Sequence, residues 1–267
     1  MSDASLPIVR KLNRLLNVSV GLFALASANR AAAAADNTSQ PRPPGNPTVV
    51  FEAGLGDGES VWRNVRKTID PQLHTFAYDR PGYGKAAKND GPRTPCATAQ
   101  HLHALLRAQN IRPPYVLVGH SMGGLYQYVF ARLYPQEVAG LVLVDATHPK
   151  HWETMQRDAP SVSSLLKVIQ GVAFSSTMQR EFREAETCTS TLPTTPFAFP
   201  VRVLAKTKAQ EMETPGFREM LKRLNADWLR LTGAQSVQYV RNSGHYIQKE
   251  QPDAVVAAIR EVVAERY

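Results

Sequence analysis

From residue 48 onward, short apolar runs alternate with longer segments in which apolar residues recur every three or four positions. The runs at 48–51, 73–78, 115–118, 140–144, 201–205 and 236–240 are rich in β-branched and aromatic residues and predict six strands. Segments 61–69, 97–109, 122–133, 217–231 and 253–265 each carry an apolar stripe of helical spacing and predict helices packed on a sheet. Strands separated by helices imply a mostly parallel sheet of about six strands. Such a sheet is covered on both faces, a three-layer α/β/α sandwich with right-handed crossovers and a site at the carboxyl ends of its strands. The alternation lapses after 140–144. Residues 147–199 hold helices predicted near 161–169 and 177–187, and an insertion at this point is expected to stand over the strand ends as a cap. Trp152, Met155, Leu165, Leu166, Val168, Ile169, Val172, Phe174, Met178 and Phe182 give that cap an apolar side.

The first 47 residues read differently. Arg10, Lys11 and Arg14 precede the apolar stretch 18–26 and the small residues Ala26, Ser27 and Ala28, which is the order of a secretory signal cleaved near Ala28. The stretch is too short to span a bilayer in the usual way. A retained anchor or an organelle transit peptide is the alternative, the latter favoured by Arg30 and the alanines at 31–35. Residues 29–47, rich in proline and polar residues, read as a flexible lead-in. The expected layout is a signal over 1–28, the lead-in, a core formed by 48–146 and 200–267, and the cap over 147–199.

A formal charge of +8 over 267 residues could suggest a nucleic-acid partner. The Lys and Arg are scattered, however, and no basic run or RNA-binding motif occurs, so nucleic acid is not expected as a partner. Cys96 and Cys188 are too few for a zinc site, and His101 and His103 would leave a helix on different faces. No cofactor or metal is expected. The two cysteines could pair and tether cap to core, or remain as two buried thiols.

The segment Tyr115-Val116-Leu117-Val118-Gly119-His120-Ser121-Met122-Gly123-Gly124 runs a buried strand directly into a helix and holds one serine at the corner. Glycines at 119 and 123 remove side chains that a turn this sharp would bring into collision. A serine hydroxyl is a weak nucleophile and needs a base, and His245, in the loop between the last strand and the last helix, is the candidate. His120 must point away from the elbow and reads as packing; His74, His101, His103, His148 and His151 read as surface or cap residues. Attack on a carbonyl creates an oxyanion that two backbone N–H groups must meet. Met122 supplies one by position. The loop Glu52-Ala53-Gly54-Leu55-Gly56 supplies the other, with Leu55 as the expected donor.

Together with Tyr78-Asp79-Arg80-Pro81-Gly82-Tyr83-Gly84 after the second strand and Gly244-His245, these motifs resemble the α/β-hydrolase superfamily, from residue 48 to the C-terminus outside the cap. Esterase-like and lipase-like members are the nearest in pattern. The resemblance implies Ser121 as nucleophile, His245 as base and the Leu55 and Met122 amides as oxyanion donors. It does not settle the acid, because Lys206-Thr207-Lys208-Ala209-Gln210, where many relatives carry one, has no carboxylate. Asp145, at the end of the preceding strand, is the first candidate and Glu211 the alternative, followed by Glu213. Glu52 and Asp79 read as loop-shaping hydrogen-bond partners. The expectation is an exported serine hydrolase of carboxylic esters with an apolar acyl or aromatic group, acting through an acyl-enzyme, with no specific protein partner. A non-hydrolytic user of the same fold, either a cofactor-free lyase or a ligand-binding receptor, is the rival class.

Overall fold

The computed structural model describes residues 46–69, 73–211 and 213–266, so the expected signal segment and nearly all of the lead-in lie outside the described residues. Six strands form one parallel sheet: β1 (Thr48–Glu52), β2 (His74–Ala77), β3 (Tyr115–His120), β4 (Val138–Val144), β5 (Val201–Lys206) and β6 (Val237–Val240). Their order across the sheet is β2, β1, β3, β4, β5, β6. The chain thus starts near one edge, builds outward to β2, then returns past β1 and continues to the other edge. The reversal brings the carboxyl ends of β1 and β3 side by side, with Glu52 in register with Gly119. In an open parallel sheet that crevice is where a ligand binds.

Alternation along the strands sorts side chains between two cores. Val142 and Val144 face one side with Phe51, Val118 and Trp62, under α1 (Arg63–Thr68), α8 (Ile247–Glu250) and α9 (Pro252–Ala264). Leu141 and Leu143 face the other with Val50, Leu117 and Val203, under α2 (Pro95–Ala108), α3 (Met122–Leu133) and α7 (Pro215–Thr232). Strands β1, β3 and β4 are buried along their whole length, which is why they read as continuous apolar runs. At Gly140 the helix α9 sits directly on the sheet: a Cβ there would lie 2.0 Å from Val262 Cγ1.

Helices α2 and α7 begin two residues before the positions that periodicity indicates. Both open with proline at the first turn, capped by a threonine whose side chain accepts an amide hydrogen bond: Thr94 from Ala97 at 3.1 Å, and Thr214 from Phe217 at 3.2 Å. A Thr-Pro pair reads as a turn in sequence, yet its missing N–H and fixed φ suit a helix start.

Between β4 and β5 stand α4 (His151–Asp158), α5 (Pro160–Ala173) and α6 (Ser176–Glu184). The first of these was not visible as a periodic segment. The apolar side expected of the cap is only partly turned inward, since Leu165, Val168 and Val172 are exposed on α5. Trp152, Met155 and Leu166 face the cavity below, while Phe182 packs at a tilt of 46° against Trp152 with ring centroids 4.0 Å apart. A disulfide joins Cys96, in the first turn of α2, to Cys188 just beyond α6. Among the described residues, no helix is long and apolar enough to cross a membrane.

Candidate active site

Ser121 sits between β3 and α3 with φ 54° and ψ −124°, a backbone conformation that costs a non-glycine residue on the order of 1–3 kcal/mol. The turn is held from its neighbours: Ser121 N–H donates to the Val144 carbonyl at 3.1 Å, and Thr147 N–H donates to the Ser121 carbonyl at 2.9 Å. Gly119 and Gly123 have no room for side chains. A Cβ would lie 2.4 Å from the Gly123 carbonyl oxygen in the first case and 2.3 Å from that of Glu52 in the second. The sharp corner therefore depends on close backbone approach, and it leaves Ser121 at the wall of a cavity.

Asp145 follows β4 and also has positive φ, at 43°. Its N–H donates to the Leu204 carbonyl at 2.8 Å, and its Oδ1 accepts from the Lys206 amide at 3.2 Å. The other oxygen, Oδ2, lies 2.6 Å from His245 Nδ1. Burial alone would raise the Asp145 pKa, but the hydrogen bond and charge of His245, with Lys206, outweigh it and hold the carboxyl below its usual range. An ionised carboxylate at Nδ1 fixes that nitrogen as the donor and leaves Nε2 as the acceptor, the tautomer a general base requires.

The His245 loop is fastened on two sides. Thr207 and Lys208 N–H groups donate to the Ser243 carbonyl at 3.0 and 2.9 Å, and the buried His120 donates from Nε2 to the His245 carbonyl at 2.9 Å. The loop after β5, which carries no carboxylate up to Gln210, thus holds the His245 loop through its backbone. Of the alternative acids, Glu211 is exposed and makes no contact with His245, while Glu213 pairs with Lys206 Nζ.

Leu55 and Met122 pack together by side chain against Tyr126 and Ala185. Among the described residues, neither N–H has an acceptor. The β1 loop lies tight against the elbow, as a Cβ on Gly54 would be 3.3 Å from Ser121 Cβ. Neither Leu55 nor Met122 lines the cavity.

Ser121, Asp145 and His245 share one cavity of about 490 Å³. Trp152, Met155, Val162, Leu166, Phe217 and Leu221 form its apolar wall, and Lys206, Lys208, Gln210 and Arg218 its polar side. His151 also lines it, its pKa pushed down to about 3 by burial first and by His148 second. His148 is not a surface residue: it is 2% exposed and lies 3.1 Å from Asp227. Glu52 accepts from Tyr78 and Arg80, and Asp79 accepts from the Glu59 and Lys85 amides, as loop-shaping residues would. Among the described residues, no group of three or more His, Cys, Asp or Glu is placed to hold a metal ion.

A family model described as the alpha/beta hydrolase family matches residues 49–258, and the chain belongs to that family. The uncharacterized protein YqjL of Bacillus subtilis is 25% identical over 229 residues, which cover 80% of this chain and 83% of that one. Several other curated relatives align over less than half of this chain and over 20 to 38% of their own lengths. Among solved structures, the RedJ thioesterase of the prodiginine pathway in Streptomyces coelicolor superimposes with a TM-score of 0.61 at 17% identity, covering 89% of this chain and 97% of that one. Carboxylesterase CesB of Bacillus subtilis does so with 0.57 at 18%, covering 84% and 85%. At such identities these structures share the fold.

Proposed function

We propose that this protein is a serine hydrolase that cleaves carboxylic esters through an acyl-enzyme. The observation that carries the reading is the 2.6 Å pair of His245 and Asp145 on the same cavity as a serine held in a strained elbow. Ser121 Oγ attacks the ester carbonyl while His245 Nε2 takes its proton, and Asp145 steadies the imidazolium. The Leu55 and Met122 amides receive the oxyanion. Collapse of the tetrahedral intermediate expels the alcohol, which takes the proton from His245; water then repeats the sequence and releases the acid. The apolar wall suits an acyl chain or aromatic group. Residues 147–199 act as the cap over it. The Cys96–Cys188 disulfide supports export to an oxidising compartment by the signal read at 1–28.

Labelling with a fluorophosphonate tests the reading. Wild-type protein is expected to be labelled and Ser121→Ala not. A folded wild-type protein that takes no label would sink it. A p-nitrophenyl ester series then measures acyl preference, with activity expected to fall once the chain outgrows the cavity.

A further inference from the structure

Beneath the β1 loop lies a buried polar cluster that the chemistry above does not use. Arg80 is 2% exposed, and its guanidinium is fully engaged. One nitrogen donates to Glu52 Oε1 at 2.8 Å and to the Ala53 carbonyl at 2.5 Å; the other donates to the Gly54 carbonyl at 2.8 Å. The remaining edge is held by Glu181 of α6, which accepts from Nε at 3.2 Å and from the second nitrogen at 3.1 Å. Glu181 is itself fully buried, accepts from Tyr83 at 2.8 Å and lies 3.6 Å from Arg93. Two guanidiniums therefore balance two carboxylates.

The carbonyls that Arg80 grips belong to the loop that carries Leu55. In a trans peptide the C=O and the following N–H point in opposite directions. Arg80 draws the Gly54 carbonyl toward itself, so the Leu55 N–H of the same peptide unit is turned the other way. Rotating that peptide would break a charge-assisted hydrogen bond in a site that water does not reach, which makes the orientation costly to lose. A lysine could place one charge here but not the fork that spans Ala53, Gly54 and Glu181 at once.

We propose that Arg80 is the positioning residue of the oxyanion loop and that Glu181, supplied by the cap, holds Arg80 in that role. The orientation of the Leu55 N–H then depends on the seating of α6. This rests on the reading of Leu55 as an oxyanion donor.

The test compares an ester with its thionoester, whose sulfur is a poor hydrogen-bond acceptor and gains little from an oxyanion hole. In Arg80→Lys the ester kcat is expected to fall about 10²–10³-fold, the scale of losing one oxyanion donor, with KM little changed. The ester-to-thionoester rate ratio falls with it, by roughly tenfold or more. Glu181→Gln keeps the shape and removes the charge, and is expected to lower the same ratio less. A merely structural role lowers both rates together and leaves the ratio unchanged. An unchanged ratio in folded Arg80→Lys overturns the proposal; where that variant does not fold, an unchanged ratio in Glu181→Gln does so. Wild-type protein that is folded but hydrolyses neither compound fails at the earlier reading and takes this one with it.

Discussion

Asp145 reaches His245 Nδ1 from the end of β4, the strand beside the one that carries Ser121, at 2.6 Å. Asp145 and Ser121 are thus fixed to the ends of adjacent strands, and Ser121 N–H is bonded to Val144, the residue just before Asp145. Asp145→Asn is expected to lower kcat by about 10³–10⁴-fold, because an amide can no longer stabilise the imidazolium or enforce the tautomer. Glu211→Gln should stay within about twofold of wild type, as its side chain is exposed and the residue does not line the cavity. Steady-state ester kinetics on both decide the matter, and loss of rate only in the second reassigns the acid.

The disulfide closes a long loop, its cysteines lying 92 positions apart in sequence. Chain-entropy arguments give a link of that length about 4–5 kcal/mol. The Cys96→Ser, Cys188→Ser double variant should melt roughly 10 °C below the oxidised protein at the scale of a domain this size. Dithiothreitol should lower the wild-type melting temperature toward the same value and leave the variant unmoved. Equal melting temperatures with and without reductant would argue against this.

His148 should make stability depend on acid. Its Nδ1 accepts from the Lys150 amide at 3.1 Å, and burial pushes its pKa down to about 4 against the pull of Asp227. Between that value and the ordinary histidine range near 6.5, the unfolded chain binds the proton and the folded one does not. The contribution is therefore complete above about pH 6.5 and is lost as pH falls toward 4, at up to about 1.4 kcal/mol per pH unit. Urea titrations at several pH values should show a shallower acid slope in His148→Asn than in wild type. Parallel slopes would rule His148 out as the group responsible.

Gly140 and Val262 should couple. A methyl group at 140 would strike Val262 Cγ1, so Gly140→Ala is expected to cost about 1–3 kcal/mol by overpacking. Val262→Ala opens a cavity on its own, yet in the double variant it makes room for the new methyl. A double-mutant cycle by denaturant unfolding should find the pair less damaging than the sum of the two. Simple additivity would mean that α9 shifts instead.

The six strands could be read from sequence because their buried runs and the helical stripes between them have different periods, and each was found within two residues of its observed ends. Ser121 and His245 were legible from local context, the one by its glycines and the other by its place after the last strand. The acid was not legible in the same way: Asp145, Glu211 and Glu213 all stay open in sequence, because 206–210 holds no carboxylate and nothing local shows which of the three lies beside His245. What escaped was long-range. Nothing near His120 announces that it bonds a carbonyl 125 positions away. Arg80 and Glu181 are 101 positions apart, and Glu181 lies in a polar helix where one more carboxylate draws no notice. The outward turn of Leu165, Val168 and Val172 was invisible for another reason: periodicity shows that a stripe exists but not what faces it.

The bond between Cys96 and Cys188 also divides the cap into unequal halves. Beside it, α6 is secured by Glu181 to Arg80 and Arg93, so that end is riveted to the core by covalent and ionic links together. Helices α4 and α5 rest on α7 through Met155, Ala159, Met220 and Leu224, with an exposed ion pair between Asp158 and Arg223 at the margin. Among the described residues, α4 and α5 line the cavity and α6 does not, so the covalent and buried ionic links fasten the segment beside the β1 loop, while the cavity wall itself rests on apolar contacts with α7.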